Sequence, residues 1–95
     1  MSGTTRSSAN LAPRRKRLIF QAWHRGTREM DLLMGMFTDE HIDTFTDAEL
    51  TEFETLLNVP DTVLYRWITE QDEVPDNHRC AILDKIISFH KSRVP

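Results

Sequence analysis

The sequence predicts an all-α protein, a compact bundle of about five short helices. Apolar residues recur at the three- and four-residue spacing of helices, and no segment sustains the two-residue alternation of a half-buried strand. Glycine, proline and capping residues divide this pattern into short elements. A chain of 95 residues holds one small core. We therefore expect a disordered tail over residues 1–12 and a single helical domain over residues 13–95.

Two helices are predicted in the first half of the chain. Pro13 suits the first turn of a helix, because its missing N–H would have no partner there, and this helix is expected to run from about Arg14 to His24. Gly26 ends it, since glycine readily adopts the left-handed conformation that closes helices. Thr27 is placed to cap the second helix. The expected buried stripes are Leu18, Ile19, Ala22 and Trp23, then Met30, Leu33, Met34 and Phe37.

Three further helices are predicted after the acidic stretch 39–43. Residues 46–49, Thr-Asp-Ala-Glu, have the pattern of a capping box and open the third helix. Pro60 begins the fourth, and Asp76 or Asn77 is expected to cap the fifth. Their expected apolar faces are Leu50, Phe53, Leu56 and Leu57; Val63, Leu64, Trp67 and Ile68; and Ile82, Leu83, Ile86, Ile87 and Phe89.

Charge is distributed very unevenly along the chain. The net charge is -3, yet the first acid is Glu29. The charged side chains of residues 1–28 are therefore all basic, whereas residues 29–95 carry a strong excess of acids. Such a polarised molecule orients on a charged partner before contact. A basic N-terminal arm also raises an alternative, a small helical nucleic-acid-binding protein. The acidic remainder and the lack of a basic recognition helix argue against it.

Residue types suited to catalysis or metal binding are sparse. The only cysteine, Cys80, excludes an intramolecular disulfide and favours a reducing compartment. It stands two residues after His78, and two side chains at that spacing point in different directions on a helix. The four histidines lack the spacing of a helical metal pair, and residues 39–43 lack the glycine of a calcium loop. We therefore expect a binding protein with no catalytic residue, no metal site and no cofactor of its own.

The segment over residues 23–31 has the most distinctive pattern, and its simplest interpretation is structural. Gly26 stops one helix and Thr27 caps the next. Glu29 lies in the first turn, where a carboxylate interacts favourably with the positive end of the helix dipole. This interpretation needs no partner, and a short Arg-Gly turn is by itself a weak motif.

The same segment also carries a family resemblance. Residues 25–29, Arg-Gly-Thr-Arg-Glu, match the Arg-Gly-x-x-Glu signature of the succinate dehydrogenase assembly factors that promote covalent flavin attachment. The chain resembles that family further through residues 30–33, Phe37, Phe53 and Trp67, and over roughly residues 16–91 in all. The basic, serine-rich start departs from the family core.

The resemblance implies a small helical bundle that binds the flavoprotein subunit of succinate dehydrogenase, with fumarate reductase flavoproteins as further candidate clients. We expect the protein to be a monomer. It implies that a client histidine attacks the 8α carbon of FAD, and that the factor stabilises a reactive client conformation. The FAD belongs to the client, and neither nucleic acid nor membrane insertion is expected. A third hypothesis is a small enzyme that attaches flavin itself. The implied partner-binding residues are Arg25, Gly26 and Glu29, extended by Arg17, Arg28 and Asp31.

The expected compartment is the bacterial cytoplasm. No apolar run approaches the roughly 18–20 residues that cross a bilayer. The acid-free, serine-rich start over residues 1–12 is similar to a mitochondrial transit peptide, but it is short and lacks a clear amphipathic face. The mitochondrial matrix is therefore the alternative.

Overall fold

The computed structural model describes residues 12–93, and this part of the chain contains five α-helices and no β-strand. The predicted all-α class and the predicted number of helices are therefore confirmed. The chain divides between Thr46 and Asp47 into two compact units. Residues 1–11 of the expected tail lie outside the described residues, and the single domain over residues 13–95 stays a prediction.

The first unit contains α1 (Pro13–Trp23), α2 (Arg28–His41) and a short 3-10 turn (Ile42–Thr44). α1 begins and ends within one residue of its predicted bounds. Its four predicted core residues are buried, as are three of the four predicted for α2, while Leu33 is half-buried. The buried apolar side chains of these two helices are Leu18, Ile19, Ala22, Trp23, Met30, Met34 and Phe37.

α1 and α2 approach each other closely where Gly35 meets the ring of Trp23. A Cβ atom at position 35 would lie 2.3 Å from Cδ2 and 2.5 Å from Cε2 of that ring, well inside van der Waals contact. The indole is only 5% exposed, and its Nε1–H donates to Oδ1 of Asp39 at 3.2 Å. Glycine inside a helix is normally unfavourable. Here it leaves the space that the indole ring occupies.

Arg15 joins the beginning of α1 to the chain that follows α2. Its guanidinium donates to the backbone carbonyl oxygens of Ile42 and Phe45, the latter at 2.9 Å. Ile42 and Phe45 are both buried, and the Phe45 ring centroid lies 6.0 Å from that of Phe37. Arg15 is therefore part of the framework of the first unit.

The second unit contains α3 (Asp47–Leu57), α4 (Asp61–Ile68), a 3-10 turn (Asp76–His78) and α5 (Ala81–Arg93). The stripe predicted for α3 is buried throughout. Val63 was predicted to face inward on α4 but is 39% exposed. The buried residues of this eight-residue helix are Leu64, Trp67 and Ile68, and Val63 projects about 100° away from Leu64.

The predicted start of α5 is wrong. Asp76 and Asn77 do not cap it but belong to the preceding 3-10 turn. The backbone then becomes extended at Arg79, with φ -74° and ψ 127°, so the helix begins only at Ala81. Ile87 is half-buried, whereas the other predicted apolar residues of α5 are buried. These buried residues are Ile82, Leu83, Ile86 and Phe89.

The close approach between Gly35 and Trp23 generates a stability prediction. We expect Gly35→Ala to lower the free energy of unfolding by roughly 1–2 kcal/mol, because overpacking a rigid buried ring outweighs the gain in helix propensity. Urea unfolding followed by circular dichroism measures this change. Ser88→Ala on the exposed side of α5 is the matched control, expected to be neutral or slightly stabilising. A Gly35→Ala variant as stable as the wild type would contradict the steric explanation.

Candidate partner-binding site

The turn over residues 24–27 places the predicted signature at the surface of the first unit. α1 ends because His24 leaves the helical region, with φ -126° and ψ 53°. Gly26 then has φ 109°, a conformation that side-chain-bearing residues rarely adopt. Thr27 is extended, and its Oγ1 accepts a hydrogen bond from the N–H of Met30 at 3.3 Å. The predicted threonine cap is thus confirmed. Gly26 has the expected positive φ, but α1 has already ended at Trp23, so the glycine shapes the turn and does not close the helix.

A carboxylate from α2 fixes the shape of this turn. Oδ1 of Asp31 accepts hydrogen bonds from the backbone N–H groups of Arg25 at 2.5 Å and of Gly26 at 3.3 Å. Hydrogen bonds to an ionised acceptor are roughly twice as strong as neutral ones. Asp31 thus holds the backbone of Arg25 and Gly26, and the predicted contact of Asp31 with a partner stays a prediction.

The remaining predicted site residues differ in their exposure. Gly26, Arg28 and Glu29 are exposed, and Arg25 is half-buried. Arg17 is also exposed, on α1. The structure thus places the signature turn at the surface, with the polar side chains of positions 28 and 29 accessible to another molecule.

One side chain that sequence analysis left without a role lies beside the turn. The ring of Phe20 stacks on the imidazole of His24, with centroids 4.0 Å apart and an interplanar angle of 22°. Nδ1–H of His24 donates to the carbonyl oxygen of Phe20 at 2.7 Å, because a carbonyl can only accept. Phe20 is nevertheless 62% exposed. Its place outside the buried stripe of α1 was the available sequence signal.

The single cysteine of the chain, Cys80, lies in the second unit. Cys80 is half-buried, and burial raises the pKa of its thiol above the ordinary range, with the carboxylates of Glu52 and Asp84 adding to the effect. The thiol is therefore protonated near neutral pH, which disfavours a role as nucleophile.

The part of the chain that the structure describes contains neither a metal-binding cluster of three or more side chains nor a helix able to span a membrane. Over residues 12–93, no group of three or more His, Cys, Asp or Glu side chains is arranged to hold a metal ion. In the same range, no helix has the length and apolar character needed to cross a bilayer.

Comparison with known proteins gives a specific family match. The model of a family described as the flavinator of succinate dehydrogenase matches residues 16–90. This range includes α2, α3 and α4 entirely and most of α1 and α5, together with the turn over residues 24–27. No solved structure of another protein matches the chain significantly.

Relatives of known name occur in bacteria and in mitochondria. The FAD assembly factor SdhE of Acetobacter pasteurianus is 39% identical over 84 residues, which cover 88% of this chain and 77% of that protein. The mitochondrial succinate dehydrogenase assembly factor 2 of Dictyostelium discoideum is 35% identical over 81 residues, covering 85% of this chain. The protein of the same name from Danio rerio is 28% identical over 90 residues, covering 93% of this chain. The chain spans 57% of the length of each of these two mitochondrial relatives.

The two hydrogen bonds to Asp31 generate a prediction about the turn. We expect Asp31→Ala to lower the free energy of unfolding by about 1–2 kcal/mol, because two backbone donors lose a half-buried charged acceptor. Amide hydrogen exchange should accelerate at Arg25 and Gly26, as measured by NMR. Asp31→Asn keeps an acceptor oxygen and is the matched control, with a smaller effect on both quantities. Unchanged exchange at both amides in the alanine variant would show that Asp31 does not hold the turn.

Proposed function

The chain belongs to the family of flavinators of succinate dehydrogenase, and on that premise we propose that it binds the flavoprotein subunit of this enzyme and promotes covalent attachment of FAD. The family match over residues 16–90 is the observation that carries the proposal. The name of the Acetobacter pasteurianus relative, an FAD assembly factor, supports it. The names of the mitochondrial relatives point to the same enzyme.

The proposed contact with the flavoprotein is centred on Arg25, Gly26 and Glu29. Gly26 is exposed and has no Cβ, so a partner can approach the backbone of the turn closely. The guanidinium of Arg25 suits a carboxylate or carbonyl of the client, because it presents several N–H donors in a planar fork. Glu29 supplies an exposed acceptor one helical turn further along.

The other proposed contact residues lie around this centre. Arg28 and Arg17 are exposed and extend the basic surface. Asp31 acts mainly through the turn, because its carboxylate binds the N–H groups of Arg25 and Gly26. Its part in the proposed contact is therefore to keep those two residues in a bindable conformation.

The proposed mode of action is a shift in the conformation of the client. A client histidine forms the bond to the 8α carbon of FAD, and this chain supplies neither the bond-forming group nor a cofactor. A factor that binds the reactive client conformation more tightly than the unreactive one increases the reactive population. When the client is saturated with the factor, a tenfold difference in the affinity of the factor for the two client conformations changes their ratio tenfold.

The client range and the compartment are further parts of the proposal. Fumarate reductase flavoproteins are the second class of client, since they share the covalent flavin chemistry that the resemblance implies. We place the chain in a bacterial cytoplasm as a monomer, with the mitochondrial matrix as the alternative, because the named relatives include both bacterial and mitochondrial proteins.

The conformation of Gly26 leads to a prediction about client binding. Gly26→Arg imposes a side chain on a φ of 109°, at an expected cost of roughly 1–2 kcal/mol, and blocks approach to the turn. We expect the helix content measured by circular dichroism to be largely retained, while pull-down of the flavoprotein is lost. Thr62→Arg, which adds the same side chain on the exposed side of α4, should bind normally. Intact binding by Gly26→Arg would refute the contact assignment.

A second prediction separates a client contact at Glu29 from a capping role. We expect Glu29→Ala to reduce flavin attachment at least tenfold while changing the free energy of unfolding by no more than about 1 kcal/mol, because the side chain is exposed. In-gel flavin fluorescence of the flavoprotein, with and without this chain, measures attachment, and urea unfolding measures stability. Glu73→Ala removes another exposed carboxylate and should leave attachment unchanged.

The same experiment tests the function as a whole. If the wild-type chain does not increase flavin fluorescence of the flavoprotein, the proposed function is wrong. If Glu29→Ala loses attachment only in proportion to its loss of stability, Glu29 acts as a structural residue at the beginning of α2.

A further inference from the structure

The solvent-facing side of α1 carries one aromatic residue among polar ones. Arg17, Phe20, Gln21 and His24 follow the i, i+3, i+4, i+7 spacing of a single helix face, and all four are exposed. At 62% exposure, Phe20 is the most exposed of the large hydrophobic residues in the described range. This face, named here the outer face of α1, leads directly into the turn over residues 24–27.

Exposure of one apolar side chain is common and needs no explanation by itself. The second observation is that the ring of Phe20 is held in place. It stacks on the imidazole of His24 at 4.0 Å, and that imidazole is tied back by its hydrogen bond to the Phe20 carbonyl oxygen. A side chain already fixed before binding loses less conformational entropy on association. Such rigid aromatic residues are typical anchors of protein interfaces.

The surroundings of this ring indicate the chemistry of the partner. α1 contains no acid, and exposed Arg17 lies one helical turn before Phe20 on the same face. The outer face of α1 therefore presents an aromatic ring beside a positive charge. A complementary surface has an apolar depression for the ring and carboxylates at its border.

We propose that Phe20, stacked on His24, is an aromatic anchor that enters an apolar, carboxylate-bordered depression of the flavoprotein client. This inference rests on the proposed function and extends the client contact from the turn along the outer face of α1. The occupant is the client because the stacked pair adjoins the turn proposed to bind it. His24 is the positioning residue of the pair, since it acts by orienting the ring.

The test is the affinity of the full chain for purified flavoprotein subunit, measured by isothermal titration calorimetry. We expect Phe20→Ala to weaken binding at least tenfold, equivalent to about 1.4 kcal/mol, with a thermal midpoint close to that of the wild type. Phe20→Leu, which keeps most of the apolar volume, should lose less affinity. Val63→Ala truncates an exposed apolar residue of α4 and is the matched control, expected to bind within twofold of the wild type.

The outcomes distinguish this inference from the function on which it rests. Wild-type chain that does not bind the flavoprotein overturns both. Wild-type binding with equal affinity for Phe20→Ala overturns the anchor alone. Sedimentation of the chain by itself identifies a competing occupant: self-association that Phe20→Ala abolishes, with client affinity unchanged, would assign the outer face of α1 to a second copy.

Discussion

One carboxylate determines how the signature turn is presented. Asp31 belongs to α2, yet its Oδ1 accepts hydrogen bonds from the N–H groups of Arg25 and Gly26. These donors follow the end of α1, where backbone groups otherwise depend on water for partners. These hydrogen bonds fix the backbone of the turn, while Gly26 and Glu29 are exposed to solvent. The proposed contact through Arg25 and Gly26 depends on this arrangement.

The sequence predicted the helices well because most of their information is local. Pro13 and Thr27 act at the helix ends where their backbone chemistry is most favourable, as expected. Gly26 has the expected positive φ but lies in the turn, beyond the end of α1. The predictions failed where a competing local conformation prevailed. Residues 76–78 form a 3-10 turn instead of starting α5, and no periodicity argument distinguishes these two outcomes.

The residues of the candidate site stay a prediction from the sequence, and the hydrogen bonds within the turn could not be predicted from it. The signature identified Arg25, Gly26 and Glu29, whereas the role of Asp31 depends on a contact between a side chain and backbone five and six residues earlier. The exposure of Phe20 could be inferred from its place outside the buried stripe of α1, whereas the stacking of its ring on His24 could not. In the proposed binding surface, the backbone of the turn supplies the shape and the flanking arginines supply the charge.

The packing of Gly35 against Trp23 has a consequence for how this protein varies in evolution. A ring at position 23 excludes even a methyl group at position 35, so the two positions are coupled rather than independent. Homologues with a smaller side chain at position 23 have room for a larger one at position 35. The pair should therefore co-vary across the family, and a compensating exchange of volume between the two helices would leave the turn that connects them undisturbed.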